Sequence, residues 1–207
     1  MTKTNSLKNV AYLVRLAVLT AILVLMSFTP LGYLNVGVVS ITFNVLPVAV
    51  GAIVLGPSAG AFLGFVFGVT SYAQCFMGNA FGAALLQINP VLTGILCIIP
   101  RILEGWLSGL LFAAFKGKKE KAPAAAYPIA ALSTALLNTL FFCGGLVLFF
   151  WNSDFIQSVA ASFETTAVFP FLIALVGLNG VVEWVVCAVA GGVIARILRI
   201  NAKSSAL

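Results

Sequence analysis

Residues 89–115 read NPVLTGILCIIPRILEGWLSGLLFAAF, an apolar stretch with only two charged side chains, Arg101 and Glu104. A helix needs about 20 apolar residues to cross the hydrocarbon core of a bilayer, and this stretch is long enough. A charged group inside such a helix is costly, and it marks a functional site by default when the helix does cross the membrane. The segment therefore predicts both a transmembrane helix and a candidate site within it.

The rest of the chain has the composition of an integral membrane protein. Of its 207 residues 62% are hydrophobic and 8% are charged, and the mean hydropathy is +1.16. A soluble domain of this length could not bury so much apolar surface. The chain contains no histidine, and its four cysteines form no CxxC motif. We therefore expect no metal site and no catalytic residues, and we expect the cysteines to be buried as small apolar side chains.

Outward from this stretch, five further segments are apolar enough to be membrane spans. The six predicted spans cover residues 9–28, 41–55, 58–76, 89–115, 124–151 and 166–198. Pro100 predicts a kink just before Arg101. The fold class predicted is an all-α integral membrane protein with six transmembrane helices, in which residues 1–207 form a single substrate-binding domain.

The basic residues predict how these spans are oriented. Ten of the eleven fall into three groups, at the two ends of the chain and in the loop after the fourth span. Six spans place all three groups on one side, and the positive-inside rule makes that side cytoplasmic. The sequence thus predicts that the N- and C-termini are both cytoplasmic. The three groups are Lys3, Lys8 and Arg15; Lys116, Lys118, Lys119 and Lys121; and Arg196, Arg199 and Lys203.

Small residues recur at four-residue spacing on several spans, which lets helices approach closely in lipid. For most of them we expect packing within the chain. These are Gly60, Gly64 and Gly68; Gly105 and Gly109; and Ala188 and Gly192. Ala17 and Ala21 repeat the pattern on the first span. There, a docking face for another membrane subunit is the alternative to packing within the chain.

Polar residues inside the spans should point inward and satisfy one another or a ligand. A pocket walled by the last three spans would bring several of them together. Its predicted polar residues are Arg101, Glu104, Asn138, Asn179 and Glu183, and its apolar walls are expected from Tyr33, Phe81, Trp151 and Trp184. The 30–40 segment is interpreted as either a lid over the site or an interfacial loop. The alternative to a pocket is an ion cluster of Arg101, Glu104 and Glu183 that only locks the helices together.

Taken together, these features resemble the substrate-binding S components of energy-coupling factor (ECF) vitamin transporters. The resemblance covers essentially the whole chain. It rests on six spans, on Ala17-x-x-x-Ala21, on PVAVGAIVLGPSAGAFLG at residues 47–64 and on IPRILEG at residues 99–105. It implies a membrane-embedded, high-affinity vitamin-binding subunit of an importer in the plasma membrane of a prokaryote, with an S-component-like bundle and no enzymatic activity.

The resemblance also implies partners. In that family the Ala-x-x-x-Ala face meets a transmembrane T subunit, and two cytoplasmic ATPase subunits supply the energy. This chain has no GxxxxGK[ST] phosphate loop, so we expect it to hold no cofactor and to leave ATP hydrolysis to its partners. The remaining expected partners are a small-molecule vitamin and the lipid bilayer. Nucleic acid is not expected, since the basic residues follow the pattern of a membrane surface.

Within the family, the 47–57 run and PRILE at residues 100–104 look most like the pantothenate type. Arg101 could pair with the carboxylate of pantothenate, and Asn138 and Asn179 could bond its amide and hydroxyls. Riboflavin, folate or another vitamin is the alternative. A stand-alone ion-coupled secondary transporter, with Glu104 or Glu183 as the relay, is the alternative from a different class. An intramembrane enzyme is a less well supported alternative, because the chain has no histidine to act as a metal ligand or catalytic group.

Overall fold

The computed structural model describes residues 2–29, 32–36, 39–117 and 122–204. Its side chains are described at residues 9–29, 32, 42–117, 122–177 and 180–200. Across these ranges the chain is overwhelmingly helical, which confirms the predicted helical class, and the strands form one short hairpin. In that hairpin Tyr33 pairs with Thr42 and Val36 with Val39, antiparallel.

The elements are numbered in chain order. They are α1 (Thr2–Ser27), β1 (Tyr33–Val36), β2 (Val39–Thr42), α2 (Val45–Val54), α3 (Pro57–Phe76), α4 (Ala80–Ile88), α5 (Pro90–Lys116), α6 (Ala126–Phe150), α7 (Asp154–Ser162), α8 (Val168–Val186) and α9 (Gly192–Ser204). A π-helical turn, Cys187–Gly191, joins the last two helices.

Side-chain caps explain where several helices begin. The Asn89 side chain accepts hydrogen bonds from the backbone N–H groups of Val91 and Leu92 at 3.1 and 3.0 Å, at the start of α5. Asn79 and Ser153 cap α4 and α7 in the same way. Such caps satisfy the backbone donors that the first turn of a helix leaves unpaired. The two short helices α4 and α7 lie between the predicted spans and were not predicted.

Five of the described helices are long and apolar enough to cross a membrane. The qualifying segments are Asn9–Ser27, Pro57–Phe76, Pro90–Lys116, Ala126–Phe150 and Gly180–Ile200. The predicted second span is shorter than expected, since residues 41–42 belong to β2 and α2 has only 10 residues. A helix of that length rises about 15 Å, roughly half the hydrocarbon thickness. Eight of those ten residues are buried, so α2 lies inside the bundle rather than against lipid. The number of membrane crossings stays a prediction.

The predicted sixth span is interrupted. Gly177 within α8 has φ 39° and ψ −140°, a conformation that glycine adopts and other residues rarely do. Beyond Gly177, the segment Gly180–Ile200 is again long enough to cross a membrane, and the π-helical turn lies within it. The predicted sixth span over residues 166–198 is therefore not one continuous helix. The apolar residues of this stretch repeat with the period of a helix, and that pattern does not indicate a break at Gly177.

The glycine faces of α3 and α5 pack directly against each other. A Cβ added at Gly60 would collide with the Gly105 carbonyl, and one added at Gly105 would collide with the Gly60 carbonyl. A Cβ at Gly64 would collide with the carbonyl of Arg101. Because the pairing runs Gly60–Gly105 and then Gly64–Arg101, the helices are antiparallel. This confirms the predicted packing faces of the third and fourth spans.

The bundle has two ends, defined by contacts. At the Ser27 end, Ser27 donates a hydrogen bond to Thr70 at 3.0 Å and Asn44 donates to Ser27 at 3.2 Å. At the Arg199 end, Arg199 of α9 donates to the Ile53 carbonyl at the end of α2. Arg199 also lies over the ring of Phe112, so the end of α5 and part of α9 meet at this end of the bundle. A six-span topology requires this arrangement, although the cytoplasmic location of that end stays a prediction.

Candidate functional site

A cavity of about 120 Å³ lies within the bundle, between the end of β2 and helices α3, α4, α5, α6 and α8. Its apolar wall includes Phe81, Leu85, Leu96, Phe142, Leu175 and Val176. Its polar side chains in the interior include Thr42, Thr93, Arg101, Asn138, Thr139 and Glu183. A mostly apolar pocket with a few convergent polar groups is the usual form of a site for a small molecule.

Arg101 is placed in this cavity by its own helix. Pro100 has no backbone N–H, so the Leu96 carbonyl four residues earlier lacks its helical partner. The Arg101 guanidinium supplies the missing donor, with Nη1 at 2.9 Å from the Leu96 oxygen. The guanidinium of Arg101 therefore replaces the helical hydrogen bond that Pro100 cannot make. This bond also directs the arginine side chain toward the N-terminal part of α5.

The guanidinium of Arg101 lies against two aromatic rings. It lies 5.4 Å from the ring centroid of Phe67 on α3 and 4.9 Å from that of Phe142 on α6. Both distances are within the range of cation–π attraction. The Arg101 side chain is only 7% exposed, and its Nε has no hydrogen-bond partner among the described residues. A buried cation with an unused donor provides a place for an anion.

A second polar corner of the cavity, apart from Arg101, is centred on Glu183. Its carboxylate accepts hydrogen bonds from the Asn138 side chain at 3.1 Å and from the backbone N–H of Thr42 at 3.4 Å. The Asn138 Oδ1 and Thr42 Oγ1 atoms are buried and have no partner among the described residues. This corner therefore presents acceptor oxygens that a ligand bearing hydroxyl or N–H groups would satisfy.

A family model described as "ECF transporter, substrate-specific component" matches residues 11–194. The chain belongs to this family. No curated protein gives a significant match. Family membership makes the protein a transporter subunit rather than an enzyme, embedded in a membrane. It also implies a complex with T and ATPase subunits and a small-molecule substrate.

In this substrate-specific component, the structure brings three of the predicted site residues together. Arg101, Asn138 and Glu183 all line the cavity, and Phe81 forms part of its wall as expected. Two further predictions, Tyr33 and Asn179, fall on side chains outside the described residues. Whether any of the predicted residues contacts substrate stays a prediction.

The other predicted site residues lie beside the cavity rather than on its wall. Glu104 is completely buried, and neither of its carboxylate oxygens has a hydrogen-bond partner among the described residues. The Trp184 indole N–H donates to Thr139 at 3.1 Å, and Trp151 packs edge-on against Phe171. Among the described residues, Arg101, Glu104 and Glu183 make no direct ion pair with one another, so the alternative ion cluster stays a prediction. Arg101 bonds a backbone carbonyl, and Glu183 bonds Asn138 and Thr42.

Several residues of the site were not singled out from the sequence. Phe67 and Phe142 flank Arg101. Their spacing from predicted residues on the same helices could have identified both. Phe67 is three residues from Gly64 on the face of α3 that meets α5, and Phe142 is four residues from Asn138 on α6. No sequence pattern identifies Thr42, because it comes close to Glu183 only through the pairing of β1 with β2.

The four cysteines behave as predicted, since all are buried and none is in a disulfide. Three of them nevertheless line the cavity, and the Cys75 and Cys97 sulfurs are 4.0 Å apart.

Proposed function

We propose that this substrate-specific component binds a small anionic vitamin in the cavity between Arg101 and Glu183, and that the vitamin is of the pantothenate type. The observation that carries the proposal is the environment of Arg101. Its guanidinium is buried among aromatic rings, no described carboxylate pairs with it, and its Nε is unpartnered. A buried charge is stable only when it is paired, and a substrate carboxylate would pair it.

The corner around Glu183 favours pantothenate over an apolar acid. Pantothenate carries hydroxyls and an amide N–H, and these donors match the unpartnered oxygens of Asn138 and Thr42 and the carboxylate of Glu183. Riboflavin, a neutral vitamin, is the second candidate ligand for this cavity, since Phe81 and Phe142 could pack against a flavin ring. Folate or another vitamin is a further alternative, and one binding experiment separates them all.

The experiment is to purify the protein in detergent and identify the copurifying small molecule by mass spectrometry. The affinity for that vitamin is then measured by calorimetry, without ATP. We expect Arg101→Gln to weaken an anionic vitamin by about tenfold or more, because a hydrogen bond to a charged group contributes about 1.5–3 kcal/mol. Arg196→Gln is the matched control, since it removes an exposed arginine elsewhere.

Equal affinities of the wild type and Arg101→Gln would remove Arg101 from the site. Copurification of a neutral or cationic compound would overturn the assignment of an anion.

For transport, we propose that Ala17 and Ala21 on α1 form the face that docks the T subunit, with ATP hydrolysed by the ATPase subunits. Both alanines are exposed, and α1 is the least buried of the five candidate spans. Four-residue spacing places them on one side of the helix, where a partner helix could approach closely. The full complex would work in the plasma membrane of a prokaryote.

Ala17→Trp tests the docking face. We expect it to abolish vitamin uptake by the assembled transporter while leaving binding by the isolated subunit unchanged, because the indole would hold the two helices apart. Phe28→Trp, an exposed position beyond the end of α1, is the control. Normal uptake by Ala17→Trp would reject this docking face.

A stand-alone ion-coupled transporter is the candidate from a different class. Its support is Glu104, a fully buried carboxyl whose oxygens have no described partner. It predicts that this chain alone takes up substrate in liposomes under a proton or sodium gradient. The proposed S component predicts no such uptake until the T and ATPase subunits and ATP are added.

A further inference from the structure

A second cavity, of about 210 Å³, lies at the Arg199 end of the bundle. It is bounded by the end of α2, the start of α3, the end of α5 and Arg199 of α9. Two cations, Lys116 and Arg199, line it, and no acidic side chain of the described chain does. Its other lining residues are apolar side chains and glycines. It is separate from the substrate cavity and shares no lining residue with it.

Arg199 is held in place at this cavity by two contacts. Its guanidinium lies 4.6 Å from the ring centroid of Phe112 and donates one hydrogen bond to the Ile53 carbonyl. A guanidinium has five N–H donors, and among the described residues this one bond leaves most of them available. The stacking on Phe112 also lowers the number of conformations that Arg199 would lose on binding a ligand.

Lys116 supplies a second positive charge to the same cavity. It lies in the last turn of α5 and is only partly exposed, and it makes no hydrogen bond or ion pair with any described residue. Lys116 thus places a positive charge at the cavity in addition to that of Arg199. Two like charges at one cavity repel each other, and a bound anion would relieve that repulsion.

The chemistry of the cavity points to a phosphate group attached to an apolar molecule. Arginine binds phosphate oxygens through its planar set of donors, and lysine adds a compact charge. The apolar lining, including Leu55, Pro57 and Ala113, suits carbon rather than water. The cavity is also at the end of the apolar helices, the level at which lipid headgroups lie in a bilayer. We propose that this cavity binds the phosphate of an anionic phospholipid.

Thermal unfolding of the full-length protein in detergent tests the proposal. The wild type, Lys116→Gln and the control Arg196→Gln are each titrated with phosphatidylglycerol, with phosphatidylcholine and with inorganic phosphate. We expect phosphatidylglycerol to raise the Tm of the wild type and of Arg196→Gln. Lys116→Gln should require about fivefold more of that lipid for the same shift, as loss of one interfacial cation predicts. Phosphatidylcholine should have little effect.

Three outcomes decide the matter. Equal responses of all three proteins to phosphatidylglycerol would overturn the proposal, because they would reflect the general charge of the surface. A shift with inorganic phosphate as large as that with the lipid would overturn the lipid and leave free phosphate as the ligand. No shift with either ligand would reject the site altogether.

Lys116→Gln carries the test because Arg199→Gln would also remove the contacts that hold α9 on α2 and α5. Native mass spectrometry gives a second readout, as Lys116→Gln should retain less phosphatidylglycerol than Arg196→Gln. Neither measurement depends on the vitamin, so the result is independent of the proposed function.

Discussion

At the scale of single residues, the Pro100–Arg101 pair explains how a transmembrane helix can hold a cation toward a cavity. The proline leaves the Leu96 carbonyl without a backbone donor, and the neighbouring guanidinium bonds it at 2.9 Å. In lipid an unpaired carbonyl costs several kcal/mol, so this contact stabilises the helix and fixes the side chain. The sequence order Pro-Arg is therefore part of the geometry of the site.

Pro100→Ala should change stability and binding in opposite directions. The new N–H would bond the Leu96 carbonyl, and the helix would gain up to about 3 kcal/mol relative to proline. Arg101 would lose its described hydrogen-bond partner and its fixed orientation, so the affinity for the substrate should fall. Thermal unfolding and calorimetry on the same preparation measure both. Pro90→Ala is the control, since a proline at the first position of α5 breaks no helical hydrogen bond.

A rise in stability with unchanged affinity would contradict this coupling, because it would show that Arg101 binds substrate without help from Leu96.

At the scale of secondary-structure elements, the contact between α3 and α5 sets the position of the site. Gly60 meets Gly105, and Gly64 meets the carbonyl of Arg101 itself. With backbones this close, a sliding of one helix by a single turn would move Phe67 away from the guanidinium. The glycine face therefore does more than allow dense packing, because it sets the register that surrounds Arg101 with aromatic rings.

Gly64→Ala tests this contact. The added methyl group would collide with the Arg101 carbonyl, so we expect a loss of about 1–3 kcal/mol in the free energy of unfolding, typical of overpacking. Substrate affinity should fall as well. Gly144→Ala on α6 is the matched control, since a Cβ there meets no atom within 4 Å. Alanine at that helical position should be neutral or stabilising by up to about 1 kcal/mol. Equal effects of the two substitutions would refute the role given to the α3–α5 contact.

At the scale of the whole molecule, the short helix α2 determines the direction in which the rest of the chain runs through the bundle. It runs from the Ser27 end, where Asn44 bonds Ser27, to the Arg199 end, where the Ile53 carbonyl bonds Arg199. Although α2 is too short to be a full span, it reverses the direction of the chain between α1 and α3. The bundle thus has six segments of alternating direction, which a six-pass topology requires. The cytoplasmic location of both termini stays a prediction.

Labelling with an impermeant maleimide tests this topology in a variant whose four buried cysteines are replaced by alanine. We expect Lys118→Cys and Ser205→Cys to be protected in intact cells and labelled after the membrane is opened. Ser162→Cys, at the end of α7, should be labelled in intact cells. The reason is that an even number of passes places the positions near Lys116 and the C-terminus on one side and α7 on the other. Labelling of Lys118→Cys and Ser205→Cys from opposite sides would exclude two passes between these positions, and with them the predicted six-pass topology.

The sequence by itself determined the class of the protein, the positions of most helices and the packing faces. These follow from local properties, namely apolar length, helix-ending residues and the four-residue spacing of glycine. The sequence also indicated three of the polar residues that line the cavity, Arg101, Asn138 and Glu183, because buried polar groups are rare in lipid and need partners.

Only the tertiary structure decided what these residues do to one another. The hairpin brings Thr42 to Glu183, and Asn138 of α6 bonds the same carboxylate from another helix. The break at Gly177 and the short length of α2 also arise in the folded chain. The physical reason is that hydrogen-bond partners depend on the rotation and register of whole helices. Those are set by contacts between residues far apart in sequence, which local patterns do not encode.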